Sequence, residues 1–254
     1  MQWAAIFNEA NVVGFLLLFF RFAALFLALP IFSHQNIPMN IKATMAFFFA
    51  VVFYPIMPPV TIHLDLLSIV IAILSELIFG LAIGLAIQIT YNIITFAGGQ
   101  ISYMMGFSLA SAIDPQTGIS MPIISQFLSM LTMMLLLVLN MHHWILLYVN
   151  DSLSAIPLGA FMLQEHLFNY LIHAFSHMFV VGFMIAFPII ALALLQDIIF
   201  GMLMKTMPQF NLLVIGFPIK IGVGFVVIIA TLASVMLIME REILASFNWL
   251  QQLF

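Results

Sequence analysis

The stretch GGQISYMMGFSLASAIDPQTG, residues 98–118, lies in the middle of a chain that is otherwise almost continuously apolar. It is too rich in glycine and polar residues for a lipid-facing helix, yet it carries one charge and several large apolar side chains. Irregular backbone is tolerated at membrane depth only where protein buries it or where it lines a watery cavity. The stretch therefore predicts a loop on a path through an assembly, flanked by the helices that build the fold.

The composition of the chain indicates an integral membrane protein. Of its 254 residues, 65% are hydrophobic and only 6% are charged, and the mean hydropathy is +1.27. A soluble domain of this length needs more charged surface. The formal net charge of -4 offers no basic surface for nucleic acid, and the absence of cysteine excludes disulfides and thiolate metal sites. The first residues lack the positive region of a cleaved signal peptide, so we expect the first apolar run to be retained.

Six apolar runs predict an all-α, membrane-associated fold. A bilayer core of about 30 Å needs about 20 helical residues, but the second run is shorter than this and two others are longer. We therefore expect bent helical hairpins of unequal length that pack in a hetero-oligomeric helical assembly, with a kink at Pro188. The runs extend over residues 11–32, 43–57, 66–97, 122–139, 167–200 and 212–239. We assign one domain, 1–254, with an N-terminal helical part at 1–97, a central loop at 98–121 and C-terminal helical hairpins at 122–254.

Two ionisable residues stand inside apolar runs. Arg21 lies near the centre of the first run and Glu76 lies inside the third. A central arginine costs about 2.5–3.5 kcal/mol on insertion scales, so it normally faces a partner or a cavity. A polar pathway and a buried structural pair both remain open, and we favour the pair because a relay needs more such groups. The positive-inside rule favours an outside N-terminus, with the lysines at 42, 205 and 220 on the cytoplasmic side.

A stripe of mostly small residues follows Glu76 along the third run. Glu76, Gly80, Gly84 and Gln88 repeat every four residues, which places them along one side of a helix. A Gly-x-x-x-Gly spacing lets another helix approach closely. The stripe therefore predicts helix packing.

Several histidines are candidate metal ligands. His166, His173 and His177 share a helical face, and His142 and His143 lie upstream. A metal site needs three converging ligands with satisfied outer partners, and no metalloprotease spacing occurs here. We favour hydrogen-bonded structural histidines. Since there is also no Gly-x-Ser-x-Gly elbow or P-loop, we expect no enzyme activity, cofactor or metal.

Three further blocks share their residue types and spacing with one protein family. The first runs from Met105-Gly106-Phe107 to Asp114-Pro115, and the second is Asn140-Met141-His142-His143. The third comprises Asp197, Gly201, Lys205, Pro208, Gln209 and Asn211, followed by Gly216, Phe217, Pro218 and Lys220. Together they resemble the FliR family of flagellar biosynthesis proteins, which is related to the T-type export proteins of injectisomes. The resemblance covers nearly the whole chain, although Met141 replaces a usual glycine and Lys205 a usual arginine.

The resemblance implies a non-enzymatic core subunit of the flagellar type III protein export gate. Such a subunit lines and plugs the channel through which unfolded flagellar subunits are secreted. The implied partners are FliP-type and FliQ-type gate subunits, FlhB-type and FlhA-type export proteins, the export substrates and membrane lipids, with no nucleic acid. The implied location is the bacterial inner membrane at the flagellar basal body, with part of the assembly on the periplasmic side. An injectisome gate subunit, an ion-coupled transporter and a histidine metalloenzyme remain alternatives.

The resemblance also implies roles for individual residues. The plug would comprise Met104, Met105, Gly106, Phe107, Leu109, Ile113, Asp114 and Pro115. We expect Gly98, Gly99 and Gly106 to let the loop move and Asp114-Pro115 to fix its return. Packing of the subunit would involve Arg21, Glu76, Gly80, Gly84, Asn140, His142, His143, Asp197, Gly201, Lys205, Pro208, Gln209, Asn211, Gly216, Pro218 and Lys220.

Overall fold

The regular structure of the chain is helical. The computed structural model describes residues 8–33, 37–60, 65–107, 122–162, 165–207, 209 and 212–251, and no strand occurs among them. The α-helices are α1 Glu9–Ala28, α2 Pro30–Ser33, α3 Met39–Phe53, α4 Leu66–Met104, α5 Ile123–Val138, α6 Met141–Ala155, α7 Glu165–Thr206 and α8 Phe217–Gln251. A 3-10 turn, Tyr54–Ile56, follows α3, and a π-helical turn, Leu212–Gly216, precedes α8. The predicted all-α fold is confirmed.

Local chemistry explains where the N-terminal helices begin and end. α1 ends before Pro30, because a proline ring disfavours the helical conformation of the residue before it. Leu29 accordingly adopts φ -68° and ψ 135°. At the start of α4, the backbone N–H of Ser68 donates to Oδ2 of Asp65 at 3.3 Å, which caps a free helical donor.

The connection between α5 and α6 depends on Asn140. This residue has φ 55°, in the left-handed region that asparagine tolerates better than most residues. Met141 stands where the family usually has glycine, so the sequence did not specify the backbone conformation of this turn. In the structure Asn140 carries the positive φ, so Met141 needs no glycine-like conformation. Met141 begins α6 and is only 2% exposed.

The central loop starts later than the sequence predicted. We expected the irregular stretch to begin at Gly98, but α4 continues to Met104, so Gly98 and Gly99 are helical. A Cβ atom at Gly98 would collide with the backbone of Ser125 in α5. Close packing between the two helices therefore outweighs the low helix propensity of glycine. The expectation that Gly98 and Gly99 supply loop freedom is wrong for the described structure.

Helix α6 was not recognised in the sequence, where residues 140–166 were read as a mixed segment. Its buried residues follow a helical period and face the core, whereas the exposed side carries polar residues together with Trp144 and Leu147. The buried set is Met141, Ile145, Tyr148, Val149, Ser152 and Leu153. The interleaved histidines, asparagine and aspartate lower the mean hydropathy, which conceals this face from a search for apolar runs.

Several helices are long and apolar enough to cross a membrane. Five qualify in the described part of the chain, and the α5–α6 pair makes a sixth if it is counted as one interrupted span. α4 has 39 residues and α7 has 42, or about 58 Å and 63 Å at 1.5 Å per residue. α7 continues through Pro188 as one helix. These lengths are about twice the bilayer core, as the unequal apolar runs suggested.

The chain divides into two compact units, each assembled from separate segments. Unit 1 comprises residues 1–90, 139–174 and 244–254, and unit 2 comprises 91–138 and 175–243. Helices α4, α7 and α8 contribute residues to both. In unit 1, the rings of Phe22 and Phe49 stack with centroids 5.8 Å apart, which packs α1 on α3.

Candidate functional site

An ion pair lies at the centre of unit 1. Arg21 in α1 and Glu76 in α4 are both completely buried. Nη2 of Arg21 donates to Oε1 of Glu76 at 3.0 Å, and Nε of Arg21 donates to Oε2. This fork matches both carboxylate oxygens, which is the strongest geometry available to such a pair. The structure therefore brings together the two side chains that the sequence suggested as a pair.

The same pair is connected to α6 and to the segment that follows it. Nη1 of Arg21 donates to Oγ of Ser152 at 3.0 Å, and that hydroxyl donates to the Val149 carbonyl at 2.6 Å. Oε1 of Glu76 also accepts the backbone N–H of Gly159 at 2.6 Å. Three helices and one connecting segment therefore meet at two side chains. Removing either charge would leave the other without its compensating partner.

Aromatic rings complete the surroundings of the Arg21 guanidinium. Its Cζ lies 4.5 Å from the centroid of the Phe79 ring, a cation–π geometry. The Phe79 ring in turn meets Phe161 edge to face at 5.1 Å. Oγ of Ser75 donates to the Phe161 carbonyl at 2.7 Å, which fixes the same segment against α4.

The glycine stripe on α4 packs against α1. A Cβ at Gly80 would lie 2.5 Å from the Arg21 carbonyl oxygen, and one at Gly84 would collide with Ala28. The predicted close helix contact is confirmed at both positions. Since Gly80, Gly84, Arg21 and Glu76 are all buried inside the chain, their packing joins helices of the same subunit.

In unit 2, the residues that begin the central loop rest on α8. Gly106 has φ 87°, and its N–H donates to the Tyr103 carbonyl at 3.1 Å, which closes the end of α4. A Cβ at Gly106 would lie 2.7 Å from Cε1 of Phe217, so the Phe217 ring covers this glycine. Only glycine accommodates both the positive φ and that contact.

The side chains on both sides of Gly106 also contact α8. Met105 is 1% exposed, and a Cβ at Gly224 would lie 2.7 Å from its Cε, so the thioether occupies the space that Gly224 leaves. The rings of Phe107 and Phe225 meet edge to face at 6.4 Å. Met105 also lines a small cleft with Ala193, Gln196 and other α7 and α8 residues. The first three residues after Met104 are therefore seated on a helix surface.

Hydroxyl groups also join α4 to α5 in unit 2. Oγ of Ser125 donates to the Thr95 carbonyl at 2.8 Å, and the hydroxyls of Thr95 and Ser129 are 3.1 Å apart. The Tyr91 hydroxyl donates to the Ser129 carbonyl at 3.3 Å. Sequence reasoning missed this contact. Its signal is the spacing of Ser125, Ser129 and Thr132, which places three small polar residues on one buried face.

Two side-chain contacts link α7 to α8, one of which is an ion pair. Nζ of Lys220 donates to both carboxylate oxygens of Asp197, at 2.7 and 2.8 Å. Nε2 of His177 lies 3.0 Å from Oε2 of Glu242. No cluster of three potential metal ligands occurs in the described part of the chain.

The other predicted site residues fall into three groups. Asn140 is an exposed turn residue, and the rings of His142 and His143 behind it are 4.1 Å apart. Gly216 is buried, whereas Gly201, Lys205, Gln209 and Pro218 are exposed. Leu109, Ile113, Asp114, Pro115, Pro208 and Asn211 lie outside the described residues.

These helices and their apolar surfaces define an all-α membrane protein with several candidate spans. A family profile described as "Bacterial export proteins, family 1" matches residues 12–246, and the chain belongs to that family. The family resemblance carried by the three sequence blocks is confirmed.

The curated relatives have similar lengths and one shared name. The chain is 33% identical over 232 residues to the "Flagellar biosynthetic protein FliR" of Bacillus subtilis (strain 168), which covers 90% of this chain and 89% of the relative. A protein of that name from Pectobacterium carotovorum is 30% identical over 222 residues, covering 86% of this chain and 85% of its own. The protein of that name from Escherichia coli (strain K12) is 28% identical, covering 91% of this chain and 88% of its own.

Proposed function

We propose that the chain is a non-enzymatic core subunit of the flagellar type III protein export gate, where it lines and plugs the secretion channel. The observation that carries the proposal is the family match over residues 12–246, with relatives named as flagellar biosynthetic proteins. A role in the flagellar export apparatus follows from that family. Plugging by the central loop is the finer part of the proposal.

The contacts of Met105, Gly106 and Phe107 with α8 support a plug that begins with Met104 and Met105 at the end of α4. The side chain of Met105 is buried against Gly224, and Phe107 projects from the same short turn toward Phe225. An apolar constriction excludes water and ions without any chemical step. Met104, Met105 and Phe107, with Leu109 and Ile113 farther along, would supply the apolar obstruction, and Asp114-Pro115 would direct the chain back toward α5.

The exposed apolar surface supports assembly with other membrane proteins. In the segment that contains α3, only 17% of the most apolar 18-residue stretch is buried. The same share is buried in the segment that contains α8. Such surfaces require lipid or protein neighbours. We propose FliP-type and FliQ-type subunits as lateral partners, with FlhB-type and FlhA-type proteins in the same export apparatus. The proposed location is the bacterial inner membrane at the flagellar basal body, with part of the assembly on the periplasmic side.

Ion leakage at rest tests the plug. A strain that lacks its own copy of this protein is complemented with the wild-type chain or with a variant lacking residues 109–113. Membrane potential and secretion of flagellar subunits are then measured, and Gly222→Ala, at an open helix surface, serves as the control. We expect the deletion to increase leakage while the complex still assembles. Unchanged leakage in an assembled complex would contradict the plug.

The transporter alternative predicts a different effect at the buried ion pair. An ion-coupled transporter uses Glu76 as a titrating group, whereas the geometry gives its carboxylate three N–H donors and a fixed position. We therefore expect Glu76→Gln to reduce the yield of assembled complex, with secretion per assembled complex largely retained. Normal assembly with abolished secretion would favour ion coupling instead.

A further inference from the structure

We propose that the Asp197–Lys220 ion pair positions the seat of Met105, so that parting α7 from α8 at this pair releases the start of the central loop. The seat is the set of α7 and α8 residues that line one small cleft together with Met105. The inference rests on the proposed function for its consequence, which is release of the plug. The coupling between the ion pair and the seat is a property of unit 2 and has a test of its own.

Both helices contribute to the seat. Along each helix the lining residues recur every three or four positions, which places them on one face. They include Ile189, Ala193 and Gln196 on α7, and Lys220, Gly224 and Val227 on α8. Because neither helix supplies the seat alone, it exists only while the two faces lie side by side.

Small residues on the two faces make room for the Met105 side chain. A Cβ at Gly224 would lie 2.7 Å from Cε and 2.9 Å from Sδ of Met105, so the thioether occupies the place of a side chain there. Ala193 lines the same cleft and is 3% exposed. A gap of about 0.5–1 Å already removes a quarter to a half of the dispersion attraction between atoms in contact. A small separation of α7 from α8 would therefore weaken the hold on Met105.

The ion pair lies one helical turn from these small residues on both helices. Asp197 follows Ala193 by four residues on α7, which is about 6 Å along the helix. Lys220 precedes Gly224 by the same spacing on α8. Nζ of Lys220 donates to both carboxylate oxygens of Asp197, and the Lys220 side chain is only 11% exposed. Since an enclosed ammonium group is destabilised when its carboxylate partner withdraws, the pair opposes separation of the helices beside the seat.

The next two residues of the loop depend on the same part of α8. The Phe217 ring covers Gly106, and the Phe225 ring meets that of Phe107. Lys220 lies between these two α8 phenylalanines in the sequence. A movement of α8 at Lys220 therefore displaces the contact surface of residues 105–107 as a whole.

Thiol protection at position 105 tests the coupling. The chain has no cysteine, so Met105→Cys introduces a single thiol. Membranes that contain the assembled complex are treated with a maleimide, and the labelling rate is measured without a second substitution, with Lys220→Met and with Asp197→Asn. A buried thiol reacts only when its surroundings open, so the rate follows the opening equilibrium. We expect both substitutions to raise the rate at least about twofold, the lower end of coupling within one network.

Two further variants make the labelling result decisive. Gly224→Leu fills the seat and should raise labelling whatever the state of the ion pair. Tyr103→Cys, at a side chain that is 65% exposed near the end of α4, corrects for access of the reagent. If Gly224→Leu raises labelling and Asp197→Asn does not, the proposal is overturned. Unchanged labelling in every variant overturns it as well, because the seat would then not hold the start of the loop.

Glu242→Gln is the matched control. Glu242 contacts His177 and so joins the same two helices, about 27 Å along α8 from Gly224. This substitution should leave labelling at position 105 unchanged. An increase equal to that of Lys220→Met would argue against the proposal, because any loosening of α7 from α8 would then suffice.

Ion leakage distinguishes this inference from the plug itself. Lys220→Met is compared with the deletion of residues 109–113 in the complemented strain. Leakage in both supports the ion pair as the hold on the plug. Leakage in the deletion alone overturns that role and leaves the plug in place. If the deletion does not leak, the plug is contradicted, and the labelling rates still decide whether the ion pair positions the seat.

Discussion

Replacing Glu76 by alanine should destabilise the protein more than any single substitution of an exposed charge. The substitution removes a carboxylate that accepts two N–H groups from Arg21 and one from Gly159. It also leaves the guanidinium of Arg21 fully buried with no opposite charge. The remaining Ser152 hydroxyl and Phe79 ring do not neutralise it.

The expected loss in the free energy of unfolding follows from these contacts. Hydrogen bonds between membrane helices contribute on average about 0.6 kcal/mol each, so three bonds account for about 2 kcal/mol. Leaving one member of a buried ion pair uncompensated raises the total to about 3–5 kcal/mol. Replacing both Arg21 and Glu76 by leucine removes the unpaired charge. The double variant should therefore lose only about 1–3 kcal/mol, mainly through the Gly159 N–H that has lost its acceptor.

The free energy of unfolding is measured by titrating purified protein in mixed micelles with sodium dodecyl sulfate and following helical circular dichroism. Glu165→Gln is the control, because that carboxylate is exposed at the start of α7. A Glu76→Ala loss below about 1 kcal/mol would refute the reasoning, since surface charges have effects of this size. A double variant as unstable as the sum of the Arg21→Leu and Glu76→Leu single variants would also refute it, because the two charges would then be uncoupled.

Substitutions at three other positions, with matched controls, test the packing and turns of the two units. Gly80→Ala places a Cβ against the α1 backbone and should cost about 1–3 kcal/mol in the same titration, whereas Gly201→Ala, in open space, should be neutral or stabilising. Gly106→Ala combines a positive φ with a collision against a ring and should cost about 1–3 kcal/mol, so equal stability would contradict the tight cap. Asn140→Gly should preserve stability while Asn140→Val should lose about 1–2 kcal/mol, and equal unfolding of the two would argue against the left-handed turn.

The sequence predicted the elements that depend on strong local or pairwise chemistry. Arg21 and Glu76 are exceptions within apolar runs, and their opposite charges make a mutual contact the simplest way to bury both. The four-residue spacing of Gly80 and Gly84 likewise indicated a close helix contact, although not that α1 would provide it. Both predictions rest on residue types that are unfavourable in an apolar helix without a partner. A charge there is poorly solvated, and glycine has a low helix propensity.

Other features were not predictable from local pattern. The extension of α4 through Gly98 depends on Ser125 in another helix, and glycine alone suggests the opposite. α6 was missed because its polar residues lower the average hydropathy of the segment. Which of its residues are buried is known only once the helices that pack against it are known. The hydroxyl contacts of Thr95 with α5 escaped notice because serine and threonine are common in membrane helices and have no single preferred partner.

By itself, the sequence determined that this is an all-α membrane protein of the bacterial export family, and it favoured a pair between Arg21 and Glu76 and set apart a distinct central segment. These properties follow from the composition of the chain, the positions of its charges and the spacing of its residues. All three can be read without knowing which segments meet in the fold. Only the tertiary structure decided that Glu76 also accepts a hydrogen bond from the Gly159 N–H, that α4 reaches Met104 and that Met105 packs on Gly224. Each of these depends on backbone groups or cavities supplied by distant segments, and no local pattern in the chain encodes which segment will supply them.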